Sequence, residues 1–252
     1  MNNIFIYDGT LINLLNLIKH LSKFDIKNIN IKNKNYNFNL FDKKIELTID
    51  DNENIIETII KEIGINAFNA IYYVFLSTEE NKENIIYFFY LNAKYYKNTI
   101  FNRRNLKCVS ETLKIIQYVK RENHKFKGFI RFKELNGNIL YAEINPTNNI
   151  LFLLSKHFKN RLKNEYWIIK DINRNIYSIY NKHIFQIIDG KNFTLKDIIL
   201  SKHEEYTQNM WKTFYNTITI EERKNDRCRM NFMPKKYWKY IIEMEDKNEK
   251  NN

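Results

Sequence analysis

The 252-residue chain carries 41 Lys+Arg against 29 Asp+Glu, a formal net charge of +12, with 44% hydrophobic and 15% aromatic residues. That apolar content can offset the entropy of ordering by burial, which excludes wholesale disorder, and five Gly with two Pro exclude a collagenous or linker-like chain. Two cysteines, Cys108 and Cys228, are too few for a disulfide framework, a zinc ribbon or an iron–sulfur cluster, so no cofactor is expected in this chain.

Ile4 to Tyr7 reads as a short buried strand, and Asp8-Gly9-Thr10 supplies a turn and an N-cap for a helix with Leu11, Leu14, Leu15, Ile18 and Leu21 on one face. Asp8 precedes any apolar run, which argues against a signal peptide. Residues 22–50 lack a clean period, although Ile45, Leu47 and Ile49 alternate as in a strand. Glu53 to Ile63 fits a helix ended near Gly64, and the stretches 66–76 and 84–96 are helical by length. The longest uncharged run, Ile63 to Thr78, is shorter than the ~20 apolar residues of a membrane span, so a cytoplasmic location without membrane contact is expected.

A helix over about 108–122 follows, with Val109, Leu113, Ile116 and Val119 at helical spacing. Gly128 to Leu135 and Ile139 to Ile144 flank Asn136-Gly137, the preferred pair for a type I′ turn, and predict a hairpin. Pro146 precedes a helix over about 148–163, and Tyr166 to Asp171 with Ile176 to Tyr180 reads as a second strand pair. A helix over about 200–217, a short basic one after Pro234 and a polar tail, 246–252, complete the chain. Strands gathered centrally with helices around them predict an α+β fold with a largely antiparallel central sheet. It is read as one domain over 1–245, with a possible N-terminal subdomain 1–100 and a core 101–245.

The charge is unevenly placed: residues 101–133 are net +8, residues 223–239 net +6, and the remaining 202 residues net −2. Such concentration suits either a phosphate-binding surface or a solvated basic face. No Walker sequence, H-E-x-x-H, G-x-S-x-G or D…E-x-K pattern occurs, so chemistry would fall to polar residues in apolar company. At roughly 100° per residue His157 and Arg161 fall beside Ile150 and Leu154 on the 148–163 helix. A guanidinium there needs either an internal carboxylate, Glu143 or Asp171, or an anionic ligand. Arg131, read as mid-strand beside Phe129, needs an anion for the same reason. His203 shares an arc with Tyr206, Met210 and Phe214 and reads as a core histidine. Phe126, Phe129, Phe132, Phe232, Tyr237 and Trp238 lie among the basic residues, where they serve either as core or as base-stacking groups.

The run Val119 to Phe132, then Leu140-Tyr141-Ala142-Glu143-Ile144-Asn145-Pro146, Leu153 to Arg161, Trp167 to Asp171 and Arg174 resembles the DUF4130 family. Trp211 to Tyr215, Ile218 to Asn225, Phe232 to Trp238 and the opening Tyr7-Asp8-Gly9-Thr10 fit the same resemblance. The resemblance implies a DNA metabolism or repair protein encoded beside a radical SAM protein and sometimes fused to a uracil-DNA glycosylase-like domain. Because the chain ends shortly after Trp238, the glycosylase chemistry is expected from elsewhere, as are the iron–sulfur cluster and SAM of the radical SAM partner. Where the family usually has arginine this chain has Lys125, Lys235 and Lys236, which keep the charge without the bidentate fork.

Two functions follow as expectations. In the first the chain binds DNA or other nucleic acid as an accessory to the radical SAM protein, through Arg103, Arg104, Lys120, Arg121, Lys125, Arg131, Arg161, Arg174, Arg223, Lys235, Lys236 and Trp238. In the second it is a nuclease or glycosylase-like hydrolase with His124, His157 and Asp171 as acid, base and orienting group. Arg131, Arg161 and Arg174 are expected to converge with these three at one pocket.

Overall fold

The computed structural model describes residues 2–24, 29–37, 42–47, 54–191, 193, 195 and 199–244. The fold is α+β, and the chain divides into two compact units, Met1–Lys120 and Arg121–Asn252. The boundary falls twenty residues beyond position 100, inside the helix Lys107–Phe129, where no Gly, Pro or polar linker marks it.

In the first unit β1 (Asn2–Tyr7) lies between β2 (Ile31–Asn33) and β3 (Asp42–Ile45), parallel to both. This small sheet is parallel because α1 (Leu11–Leu21) returns the chain between β1 and β2. Thr10 caps α1 as expected: its Oγ1 accepts from the Asn13 amide at 3.2 Å, while Asp8 Oδ1 accepts from the Thr10 amide at 2.7 Å. The alternation at Ile45 to Ile49 does not mark β3, which starts three residues earlier; Ile49, like Glu53 and the tail 246–252, lies outside the described residues.

The helices α2 (Ile55–Ile63), α3 (Ile65–Leu76) and α4 (Lys82–Tyr96) follow the apolar stretches, with Gly64 at φ +83° separating the first two. Their buried faces meet that of α1: Leu14, Leu15, Ile18, Ile59, Ile63, Ile71, Val74, Ile86 and Phe89 share one core. A buried polar tie crosses it, where Tyr7 donates its hydroxyl to Glu83 Oε1 at 2.8 Å. Together burial and the Glu83 carboxylate hold the phenol protonated far above its ordinary range.

The long helix α5 (Lys107–Phe129) runs seven residues beyond the predicted end at 122. Gly128 lies within its last turn with open space around it, so the residues read as the start of a strand extend the helix instead. The strand β4 is consequently short (Lys133–Leu135). Leu135 pairs with Ile139 of β5 (Ile139–Ile144), leaving a three-residue loop in which Gly137 and Asn138 both have positive φ. Asn-Gly marks the hairpin, and the second left-handed residue lengthens its loop by one.

The second unit's sheet has the order β4-β5-β6-β7-β8, with β6 at Tyr166–Asp171, β7 at Ile176–Asn181 and β8 at Phe185–Asp189. All neighbours are antiparallel except β5 and β6, which α6 (Leu151–Arg161) connects as a crossover. The edge strand β8 was not legible as an element, because its two faces are both partly exposed and its hydrophobic pattern does not alternate. Trp167 stacks on Tyr180 at 5.0 Å, and Ser155 of α6 donates to Ser178 of β7 at 2.7 Å within the buried layer.

The C-terminal elements are α7 (Lys202–Ile218), α8 (Asp226–Phe232) and a 3-10 turn, Lys235–Tyr240, in place of the short helix expected after Pro234. The arc of α7 expected to join a core is solvent-facing, with Tyr206, Met210, Phe214 and Ile218 all more than half exposed. His203 is therefore no core histidine: it is 80% exposed, and its Nδ1 faces Glu134 Oε2 at 3.6 Å. No helix among the described residues is long and apolar enough to cross a membrane.

Candidate functional site

The second unit is built around the segment Pro146-Thr147-Asn148, which links β5 to α6. Glu122 of α5 accepts from the Thr147 amide at 2.9 Å, the Asn148 amide at 2.8 Å and the Asn148 side chain at 2.7 Å. Lys236 approaches the same carboxylate at 3.3 Å. Burial alone would raise the Glu122 carboxyl, but these donors and the ammonium outweigh it and hold it below the usual range. Glu122 lies three residues after Val119 and four before Phe126, both buried, so helical spacing already places it on the inward face.

Asp171, at the end of β6, is fully buried and pairs with Arg174 at 3.0 Å. Arg174 also donates to the carbonyls of Pro146 and Thr147. Burial pushes Asp171 above the ordinary carboxylate range; Arg174 and the amides of Arg174 and Asn173 oppose it without reversing it. Arg174 is thus committed to the fold.

Of the six residues expected in one pocket, Asp171 and Arg174 come together and Arg161 lies one helical turn from His157, and among the described residues no hydrogen bond or ion pair joins His124, His157 or Arg161 to Asp171. Arg161 is exposed, a correction to its expected place on the apolar stripe: α6 spans only Leu151–Arg161, so Arg161 is its last residue and the side chain leaves the buried layer. His124 is exposed on α5. His157 is half-buried, and its Nε2 has no hydrogen-bond partner. Burial, with Lys127 and Arg161 adding to it, pushes the imidazole below its ordinary value, so it is neutral at pH 7.

Arg131 is not in a strand. It sits between α5 and β4, and its Nη1 donates to the Gly128 carbonyl at 2.9 Å and the Ile130 carbonyl at 3.3 Å, closing the end of the helix. It also lines a cavity of about 290 Å³ with Lys133, Tyr141, Glu143, Leu200 and Tyr240. Within it Tyr141 donates to Glu143 Oε1 at 2.7 Å, and burial followed by this carboxylate keeps the phenol protonated. Tyr240 is raised by burial and by the charges of Glu143 and Asp171. Arg131, Lys133 and Glu143 bring two cations and one carboxylate to this space, which sequence spacing alone could not assemble from positions 131 to 240.

Most aromatics near the basic segments are core. Phe126 and Phe129 pack against Tyr237 at 5.1 and 5.0 Å, Phe132 packs against Phe158, and Trp238 is buried with its Nε1 on the Met233 carbonyl at 2.8 Å. Arg229 lies over the Trp238 ring at 5.0 Å and Lys235 at 6.0 Å. Phe232 alone of those named faces solvent, at 77% exposure. By contrast, the basic groups are outward: Arg103, Arg104 and Lys120 in the first unit, and Arg121, Arg161, Arg223 and Lys235 in the second, are exposed and have no carboxylate partner among the described residues. Lys125 is half-exposed and likewise unpaired, whereas Lys236 is held by Glu122.

An α+β chain with outward, uncompensated cations is the class these features define. Its sequence matches DUF4130, described as a domain of unknown function, over residues 80–243. The chain belongs to the DUF4130 family, whose match begins after Tyr7-Asp8-Gly9-Thr10 and covers the whole second sheet. No curated protein and no solved structure matches it.

Proposed function

We propose that this protein binds nucleic acid as an accessory in DNA metabolism or repair and presents it to a radical SAM partner. The observation that supports this reading is that Arg103, Arg104, Lys120, Arg121, Arg161, Arg223 and Lys235 face solvent and have no carboxylate partner among the described residues, Arg103, Lys120 and Lys235 lying over the rings of Tyr96, Tyr73 and Trp238. Cations held this way neutralise phosphates and release condensed counterions. The family resemblance supports the radical SAM partner, which would bring the iron–sulfur cluster and SAM. Binding of duplex and single-stranded DNA measured over a salt series tests the first part: affinity should fall steeply with salt. Salt-independent or absent binding removes the reading, and co-purification from the native host tests the partner.

The 290 Å³ cavity favours a second reading, a hydrolase acting on a phosphorylated substrate held by Arg131, with Glu143 as the base in place of the histidines. Turnover of a DNA substrate by the isolated protein, lost in Glu143→Gln, would put this reading first.

A further inference from the structure

On α7 the residues Tyr206, Met210, Phe214 and Ile218 form one ridge, each four positions and about 6 Å of helix axis from the next, and all are more than half exposed. The helix is held from its other side. Tyr215 packs with the cluster of Trp238, Ile241 and Met244, and Ser201 caps the first turn by accepting from the Glu204 amide at 3.0 Å. Trp211 borders the ridge, with its Nε1 donating to Glu243 Oε2 at 3.0 Å and its ring 5.8 Å from that of Phe214.

The charged residues of α7, Lys202, Glu204, Glu205 and Lys212, all fall outside the arc from Tyr206 to Ile218, although 28% of the whole chain is charged. Aromatic and Met side chains free of charge are the composition of an interface centre. The arc has no cation for a phosphate, and two lysines against two glutamates do not supply the cationic flanks of a membrane-surface helix. Tyr206, Met210, Trp211, Phe214 and Ile218 are each close to half exposed, which leaves about 500 Å² of surface per copy and about 1,000 Å² per pair, the lower bound for a specific interface. The ridge is also self-complementary. A two-fold axis level with Lys212 brings Met210 to the level of Phe214 and Tyr206 to that of Ile218.

We propose that α7 docks on a second copy of this chain, antiparallel, with Met210 against the partner's Phe214 and Tyr206 against the partner's Ile218. The pairing does not depend on the nucleic-acid reading above.

Sedimentation velocity on the nuclease-treated full chain, from about 1 to 300 μM, tests the pairing; so small an interface should give a dissociation constant on the order of tens of micromolar. Each copy carries a net charge of +12, so added salt should screen their repulsion and strengthen the dimer, opposite to its effect on nucleic-acid binding. Met210→Glu and Phe214→Lys should each weaken the dimer about ten-fold or more while thermal midpoints in dilute solution stay unchanged. Asn216→Ala, off the arc, should have no effect on association. Mixing the two charged variants should restore the dimer, because the antiparallel register sets the introduced carboxylate against the introduced ammonium, which a parallel register would not do. A monomer throughout, association abolished by salt or nuclease, dimerisation indifferent to Met210→Glu, or no rescue on mixing overturns the proposal. Flotation of a monomer with phosphatidylcholine vesicles, lost in Met210→Glu, also overturns it and gives the face to a lipid surface.

Discussion

Glu122 and Arg174 hold the same two peptide groups from opposite sides. The carboxylate takes the N–H of Thr147 and of Asn148, while the guanidinium donates to the C=O of Pro146 and of Thr147, so both peptide planes between β5 and α6 are bonded at each end. Each clamp is itself anchored, Glu122 beside Lys236 and Arg174 on buried Asp171. The entry to α6, which lacks a side-chain N-cap, is fixed instead by residues far away in sequence.

Glu122→Gln should destabilise the second unit by roughly 1–3 kcal/mol at pH 7, because charge-assisted bonds to buried amides become neutral ones. The folded Glu122 carboxyl titrates below its ordinary 4.5, so its stabilisation is fully present above 4.5 and is lost as pH falls through the folded value. Urea unfolding of the two proteins should therefore differ most near pH 7 and converge under acid. A gap that stays constant with pH would contradict the charge-based role.

Arg174→Ala should cost more, about 3–5 kcal/mol, by leaving Asp171 buried without its partner. Asp171 already titrates above its ordinary 3.8, so its ionisation opposes folding as pH rises through that value, and removing Arg174 enlarges the effect. The variant should lose stability steadily between acid and neutral pH. Asp171→Asn in the same background should restore part of it, as read by thermal melting at two pH values.

Removal of charge at Arg121, Arg161 or Arg223 should leave unfolding midpoints unchanged, since these side chains are exposed and have no carboxylate partner among the described residues. If each contacts a phosphate, each removal should flatten the slope of log affinity against log salt by about 0.9. An unaltered slope in a folded variant excludes that residue from the interface. Arg161→Lys should be neutral for folding too, which separates it from Arg174→Lys.

Phe214→Ser should change stability by less than about 0.5 kcal/mol and improve solubility, because the ring is 52% exposed on α7. A core phenylalanine would cost about 3–5 kcal/mol when truncated. Denaturant midpoints discriminate between the two.

Local periodicity was sufficient for α1 to α4, α6 and the β4–β5 hairpin, because there the apolar spacing and the turn or cap residue agree. It misled at Gly128 and Phe129, where residues of strand-like composition continue α5, and at Ile130 and Arg131, which link α5 to β4, since the helix already formed upstream propagates at little further cost through one glycine. It misled again on α7, whose apolar arc is helical in spacing but meets no core in this chain. The site was legible only in part. Asp171 and Arg174 are neighbours in sequence and could be paired from it, whereas the meeting of Arg131, Glu143 and Tyr240, or of Glu122 with Lys236, depends on how distant elements pack, and no local spacing encodes that.

The bond from Tyr7 to Glu83 joins a residue before the family match to one inside it. A fragment cut at residue 80 would keep α4 but strip away three strands and three helices of the unit whose core holds Ile86, Phe89 and Tyr90, and would leave buried Glu83 without the Tyr7 hydroxyl. The stretch that matches the family is thus shorter than the unit that buries α4. Any excised version meant to keep this core has to begin at the first strand.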